Sequence, residues 1–172
     1  AWPDNLSVAV NISPKQFLAP GLATTIMQAL TATGLSPERL ELEITESVFI
    51  ANVEKTLGTL HSLRDVGVRI ALDDFGTGYS SLSYLRSFPF DKIKIDRSFM
   101  ADLTTRADSQ AIIKAVIGLG QSLGMSTTAE GVETEEQMHV LSAMGCTHLQ
   151  GYFLSRPVNS KLMSRASLQN VA

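Results

Sequence analysis

The sequence predicts an α/β fold in which parallel strands curl into most of a TIM-like (β/α)8 barrel. Three observations lead there. Short β-rich runs alternate with helical periodicity six times. Glycines stop the helices just before the next strand. Nearly every strand run also carries a polar residue late in its length.

The units follow one another without a break. "LSVAVNIS" precedes a helix through "LATTIMQALTATG", "RLELEIT" precedes "NVEKTLGTLHSLRDVG", and "VRIALDDF" precedes "SSLSYLRSF". "DKIKID" then leads into "ADSQAIIKAVIGLGQSLG", "MSTTAEGV" into "TEEQMHVLSAMG", and "THLQGYFLS" into a weaker tail from Val158. Gly34, Gly67, Gly124 and Gly145 stand where left-handed C-cap glycines belong. Six βα units in series mean a parallel sheet, two units short of a closed barrel. A doubly wound open sheet is the ordinary alternative for six strands. The polar strand ends decide against it: Asn11, Glu43, Asp73 with Asp74, Lys94 with Asp96, Glu130 and Gln150 come from six successive strands, and such ends converge only around an axis. Strand parity agrees, with Lys92, Lys94 and Asp96 on one face of their run and Ile93 and Ile95 on the other. No linker or low-complexity stretch divides the series, so residues 1–172 read as one domain.

At 172 residues and 44% hydrophobic content the chain can bury one sizeable core. A net charge of -3 with 14 Lys+Arg lacks the electrostatic footprint for long nucleic acid, while a small phosphate ligand can still bind locally. Cys146 is the sole cysteine, which excludes an internal disulfide and a cysteine zinc cage and fits a reducing, cytoplasmic setting. No secretory signal and no run of 18 apolar residues is present. The opening "AWPDNLSVAV" does not look like a natural start, so the expected N-terminus lies elsewhere, with room for a membrane anchor in a longer protein.

Asp73 and Asp74 end an apolar run side by side, a costly arrangement unless a cation or hydrogen-bond donors accompany them. A purely structural account also exists: Gly76 and Gly78 permit positive φ, and Ser80 or Ser81 can cap the next helix. Both accounts can hold together. Oxygen donors without a His or Cys cluster suit Mg²⁺ or Mn²⁺, with Asn11, Glu43 and Asp73 around one ion and Asp74 serving a second. With Asp73 bridging, the set resembles a two-metal clamp for in-line attack on a phosphate ester. Lys94 can orient or help deprotonate the water, and Glu130 can act as base or further ligand. "DFG" has no accompanying kinase motifs. His61, His139 and His148 read as lumen-filling or exposed, and Glu41, Arg69 and Lys92 as a deep ion-pair layer.

"VNIS", "LEITES", "LDDFGTGYSSL", "KIKIDRSF", "AEGVET" and "QGYFLSRP", in this order, resemble the EAL domain, the bacterial cyclic di-GMP phosphodiesterase family. The resemblance implies an EAL-type barrel that hydrolyses cyclic di-GMP to linear pGpG with two Mg²⁺ or Mn²⁺ ions. By position it implies Asn11, Glu43, Asp73 and Asp74 as metal ligands, and Lys94, Asp96, Glu130 and Gln150 as the catalytic and metal-proximal set. Glu46 matches the glutamate that steadies "DDFGTG", a loop also used in family dimerisation, and Glu133 a further active-site glutamate. The family's Glu-Ala-Leu motif, with its metal-binding glutamate and phosphate-binding arginine, is absent from these residues. The expectation is therefore the C-terminal three-quarters of an EAL domain, with open edges that favour a homodimer or strand-exchanged assembly, and with sensor or GGDEF domains elsewhere in the full-length protein. Two alternatives are a catalytically silent module that binds cyclic di-GMP or a protein, and an enolase-like barrel. In the latter the Lys-x-Lys pair commonly precedes the carboxylates, whereas Lys92 and Lys94 follow them here.

Overall fold

The structure, a computed structural model, describes residues 6–50, 52–77 and 82–159. Its strands are β1 (Val8–Asn11), β2 (Leu40–Thr45), β3 (Arg69–Phe75), β4 (Lys92–Ile95), β5 (Ser126–Glu130) and β6 (His148–Gln150). The helices are α1 (Pro14–Leu18), α2 (Leu22–Thr33), α3 (Val53–Asp65), α4 (Leu82–Ser87), α5 (Ala107–Leu123) and α6 (Glu135–Ala143). All neighbouring strands pair in parallel, in sequence order from β1 to β6. The sheet is curled. Side chains of β4 reach carboxylates of β2, two strands away, and Ser7 and Ala9 at one edge line the same concavity as His148 and Gln150 at the other. This is the expected partial barrel.

The curl follows from two-residue periodicity with two different faces. Leu42, Ile44, Ile70, Leu72, Ile93 and Ile95 point outward and are at most 1% exposed, packed in one core with Leu60 and Leu63 of α3 and Ile113 and Ile117 of α5. Phe88 sits in a ring cluster, edge-on to Phe90 at 4.9 Å and to His61 at 5.1 Å. All three histidines are exposed, one of the two fates expected for them. Gly34, Gly67, Gly124 and Gly145 all have positive φ after their helices.

Some local expectations change. α1 was not anticipated; it rests on a capping box between Ser13 and Gln16 with Pro14 in its first turn. β6 ends at Gln150, because Leu154 and Ser155 turn back to donate to the Gly151 carbonyl. β4 ends at Ile95, so Asp96 is not a strand residue: it caps the 3-10 turn Arg97–Phe99, its carboxylate accepting from the Ser98 N–H at 3.0 Å. In the deep layer Lys92 pairs with Glu41 at 2.7 Å, but Arg69 bonds Ser7 and its Nε is buried with no partner among the described residues. Gly78, Ser80 and Ser81 lie outside the described residues.

Phe88 is fully buried among rings, so Phe88→Ala should destabilise the fold by about 3–5 kcal/mol. Urea denaturation measures it. A loss below 1 kcal/mol would mean that the ring cluster does not carry the α3 side of the core.

Candidate active site

On the concave face the inward positions are polar. β2 contributes Glu41 and Glu43, β3 Asp73, β4 Lys92 and Lys94, β5 Thr128 and Glu130. At their centre stands Lys94, 3% exposed. Its Nζ lies 2.8 Å from Glu43 Oε2, 3.0 Å from Asp73 Oδ1 and 2.8 Å from Glu130 Oε1. An ammonium has three N–H donors, and these three carboxylates take them all. Asp96 is not among its ion-pair partners, since the turn that follows β4 claims that carboxylate.

Asp73 and Asp74 reach the same site through a break in strand register. Leu72 pairs with Ile93, and the next pair is Phe75 with Ile95, so β3 carries one more residue than β4 over this step. This is a β-bulge. Regular alternation would turn Asp74 towards the apolar outer face; the bulge gives that place to Phe75, which is buried, and leaves Asp74 exposed at the rim. The backbone of Asp74 has φ +53, the sole positive φ outside glycine among the described residues. Its N–H bonds Asp73 Oδ1 at 3.1 Å, and its carbonyl accepts from Thr77 N–H at 3.3 Å and Oγ1 at 2.9 Å. A left-handed L-residue costs roughly 1–2 kcal/mol, somewhat less for Asp. In return, ligand oxygens of Asp73, Asp74 and Glu130 come within 4.8 Å of one another.

The electrostatics follow from this crowding. Burial, with Asp73 and Asp96 nearby, pushes the Asp74 carboxyl above its usual range. Burial likewise raises Glu130, against the pull of Lys94. For Lys94 burial works downward, but hydrogen bonds to Glu130, Glu43 and Asp73 outweigh it and hold the ammonium well above an ordinary lysine. Against the upward push of burial, hydrogen bonds from Ser98 and Arg97 keep Asp96 low. Four carboxylates thus face one ammonium at the core of the site. The donor set is all oxygen and in anionic excess, which fits a hard divalent cation.

The other expected residues fall around this centre. Asn11 ends β1 in register with Glu43 and is exposed. Glu43 places Oε2 on Lys94, and Glu130, expected as a base or further ligand, stands beside Asp73 and Asp74. Glu46 begins the 3-10 turn after β2 and lines a groove with Asp73, Asp74 and Thr77. A rim pocket brings together Asp74, Asp96, Glu130, Glu133 and Gln150. Arg97 and Tyr152 line it too, and sequence reading did not single them out. Their signal was adjacency, one residue after Asp96 and two after Gln150.

Residues 1–157 match the EAL domain family. The chain belongs to that family. Among its EAL relatives is the bifunctional diguanylate cyclase/cyclic di-GMP phosphodiesterase MucR of Pseudomonas aeruginosa, 44% identical over 152 residues, or 88% of this chain and 22% of that protein. The EAL domain of Mycobacterium smegmatis DcpA superposes with a TM-score of 0.91 at 40% identity, over 98% of this chain and 75% of that one. A manganese/cyclic di-GMP complex of Klebsiella pneumoniae BlrP1 superposes with a TM-score of 0.81 at 37% identity, over 88% of this chain and 39% of that one. The chain spans about a fifth of the length of several curated relatives.

Within this EAL site, the backbone at Asp74 can be tested apart from its charge. Asp74→Gly and Asp74→Ala remove the same carboxylate, but only glycine accepts the positive φ without strain. Asp74→Gly should be the more stable by about 1 kcal/mol, or about 2–4 °C in Tm. Equal Tm values would mean that the bulge carries no strain.

Proposed function

We propose that this EAL domain is a divalent-metal phosphodiesterase that hydrolyses cyclic di-GMP to linear pGpG. The observation that carries the reading is the convergence of Asp73, Asp74 and Glu130 around the buried ammonium of Lys94. The relatives MucR, named a bifunctional diguanylate cyclase/cyclic di-GMP phosphodiesterase, and BlrP1, solved as a manganese/cyclic di-GMP complex, support it. Asp73, Asp74 and Glu130 would hold one Mg²⁺ or Mn²⁺, and Glu43 and Asn11, with Asp73 shared, a second. Bound there, the ions would supply Lewis acidity and a more acidic water. Lys94, its three donors engaged by carboxylates, cannot accept a proton in this arrangement and serves as a donor, holding a water or a phosphoryl oxygen once a carboxylate turns to a cation. Arg97 at the rim pocket offers a guanidinium to phosphate, and Gln150 and Glu133 offer polar groups to the rest of the dinucleotide.

In this reading the 172 residues form the C-terminal three-quarters of an EAL domain, and coverage of three-quarters of the DcpA EAL structure supports that. The exposed edges β1 and β6 favour completion by neighbouring strands, in a homodimer or a strand-exchanged assembly. A GGDEF or sensor domain in the same protein is in keeping with bifunctional MucR. No helix among the described residues is long and apolar enough to cross a membrane, and the free thiol of Cys146 suits the cytoplasm. A second reading is a silent module that binds cyclic di-GMP or a protein partner. It is favoured by the ion pair of Glu43 with Lys94, which a metal at Glu43 would have to displace.

Incubation of the full chain with cyclic di-GMP and Mn²⁺, followed by chromatography, should yield pGpG, and EDTA should abolish the product. Lys94→Ala should lower kcat by about 10²–10³-fold with a smaller effect on KM. Cyclic di-GMP binding without hydrolysis would support the silent module. Absence of both binding and hydrolysis would sink the nucleotide reading altogether.

A further inference from the structure

Three glycines of the rim are sites of close approach, and each neighbours a residue of the site. A Cβ on Gly76 would stand 2.9 Å from Cζ of Phe99, and one on Gly131 would stand 2.5 Å from Cβ of Arg97. A Cβ on Gly151 would collide with the backbone of Val132. Gly76 lies two residues beyond Asp74, Arg97 follows Asp96, Gly131 follows Glu130, and Gly151 follows Gln150. The contacts run from one loop to the next: the loop after β3 receives Phe99 from the loop after β4, the loop after β5 receives Arg97, and the loop after β6 seats against Val132. Backbone hydrogen bonds close the last joint, Val132 N–H to the Gln150 carbonyl and Phe153 N–H to the Val132 carbonyl, both at 3.0 Å. The Gln137 amide adds a brace, donating to the Met100 carbonyl at 2.9 Å and accepting from Glu133 N–H at 2.8 Å. Close approach also occurs away from the rim, at Gly120 and Gly145, where an added Cβ would stand 2.7 Å from Thr127 Cγ2 and 2.9 Å from Gln121 Nε2, whereas Gly34 and Gly124 have positive φ and nothing within 4 Å of an added Cβ.

We infer that Gly76, Gly131 and Gly151 are positioning residues, whose missing side chains are sockets for Phe99, Arg97 and Val132. The meshed sockets join four successive strand-end loops into one frame. That frame sets the spacing of Asp74, Asp96, Glu130 and Gln150, which strand pairing alone does not set because Asp74 leaves the regular ladder and Asp96 lies beyond it. An added methyl at Gly76 or Gly131 would lie under 3.0 Å from its plug, so the plug must shift, and a shift passed to the neighbouring site residue mistunes a metal site.

The test uses the full chain and rests on the metal reading above. Gly131→Ala and Gly76→Ala should raise the Kd for Mn²⁺, measured by calorimetry, about 10–100-fold. Gly124→Ala has a nearly equal positive φ, +71 against +74 at Gly131, and should lose stability without changing the Kd. Backbone amide NMR shifts give a readout that needs no metal: Gly131→Ala should shift Gly76, two loop joints away through the Arg97–Phe99 turn, and Gly124→Ala should not. Gly76→Ala combined with Phe99→Ala should be less than additive in Kd, because the second change empties the space that the first one fills. A wild-type chain that binds no Mn²⁺ would overturn the metal reading, while the amide shifts would still decide the frame. Wild-type Mn²⁺ binding with unchanged Kd and unmoved distant amides in Gly131→Ala and Gly76→Ala would overturn the frame alone.

Discussion

The buried ammonium of Lys94 is the interaction on which the concave face depends. It draws carboxylates from β2, β3 and β5 onto a single atom of β4. That is possible only if the sheet bends enough to bring β2 within side-chain reach of β4, and the outer isoleucines and leucines on the same strands supply the reason to bend by packing against helices. Removing one partner of a buried ion pair typically costs about 3–5 kcal/mol, because a charge is left without compensation. Three carboxylates would be left here. Lys92 and Glu41 repeat the arrangement one layer deeper with a single pair, so the lumen is held by charge where an ordinary barrel interior is filled by branched apolar side chains.

The bulge at Asp73 and Asp74 solves a problem that strand geometry creates. Neighbouring residues of a strand point to opposite faces, so an acidic pair in a strand normally divides between core and lumen. One extra residue re-aims Asp74 and gives Phe75 the seat against the outer core. The arrangement concentrates negative charge, raises the carboxyl of Asp74 and holds its backbone in an unfavourable region. Strain of this kind persists where the surroundings over-determine it and the site has use for it. The hydrogen bonds from Thr77 and the fit of Phe99 over Gly76 are those surroundings.

Much of the site was legible in the chain because inward strand positions recur every two residues. Glu43, Asp73 and Lys94 could be placed on one face by counting, and they meet. What counting could not supply was which groups pair. Glu43 is paired with Lys94, a contact that counting did not foresee; Asp96 was counted as a strand residue and is a cap; Arg69, expected in an ion-pair layer, reaches Ser7. Arg97 and Tyr152 carried no periodic mark at all, because loop side chains are aimed by contacts with other loops.

The order of strands and helices, the glycine helix stops, the apolar outer face and the polar inner one are all written in short stretches, since each rests on a period of two or 3.6 residues or on one residue's φ preference. The resemblance to the EAL family is written there too, in motifs of a few residues. The tertiary structure alone decided that β3 bulges at Asp73 and Asp74 and that Lys94 takes three partners from three strands. Those outcomes depend on register and curvature between segments tens of residues apart, and the packing of the whole sheet against its helices sets both.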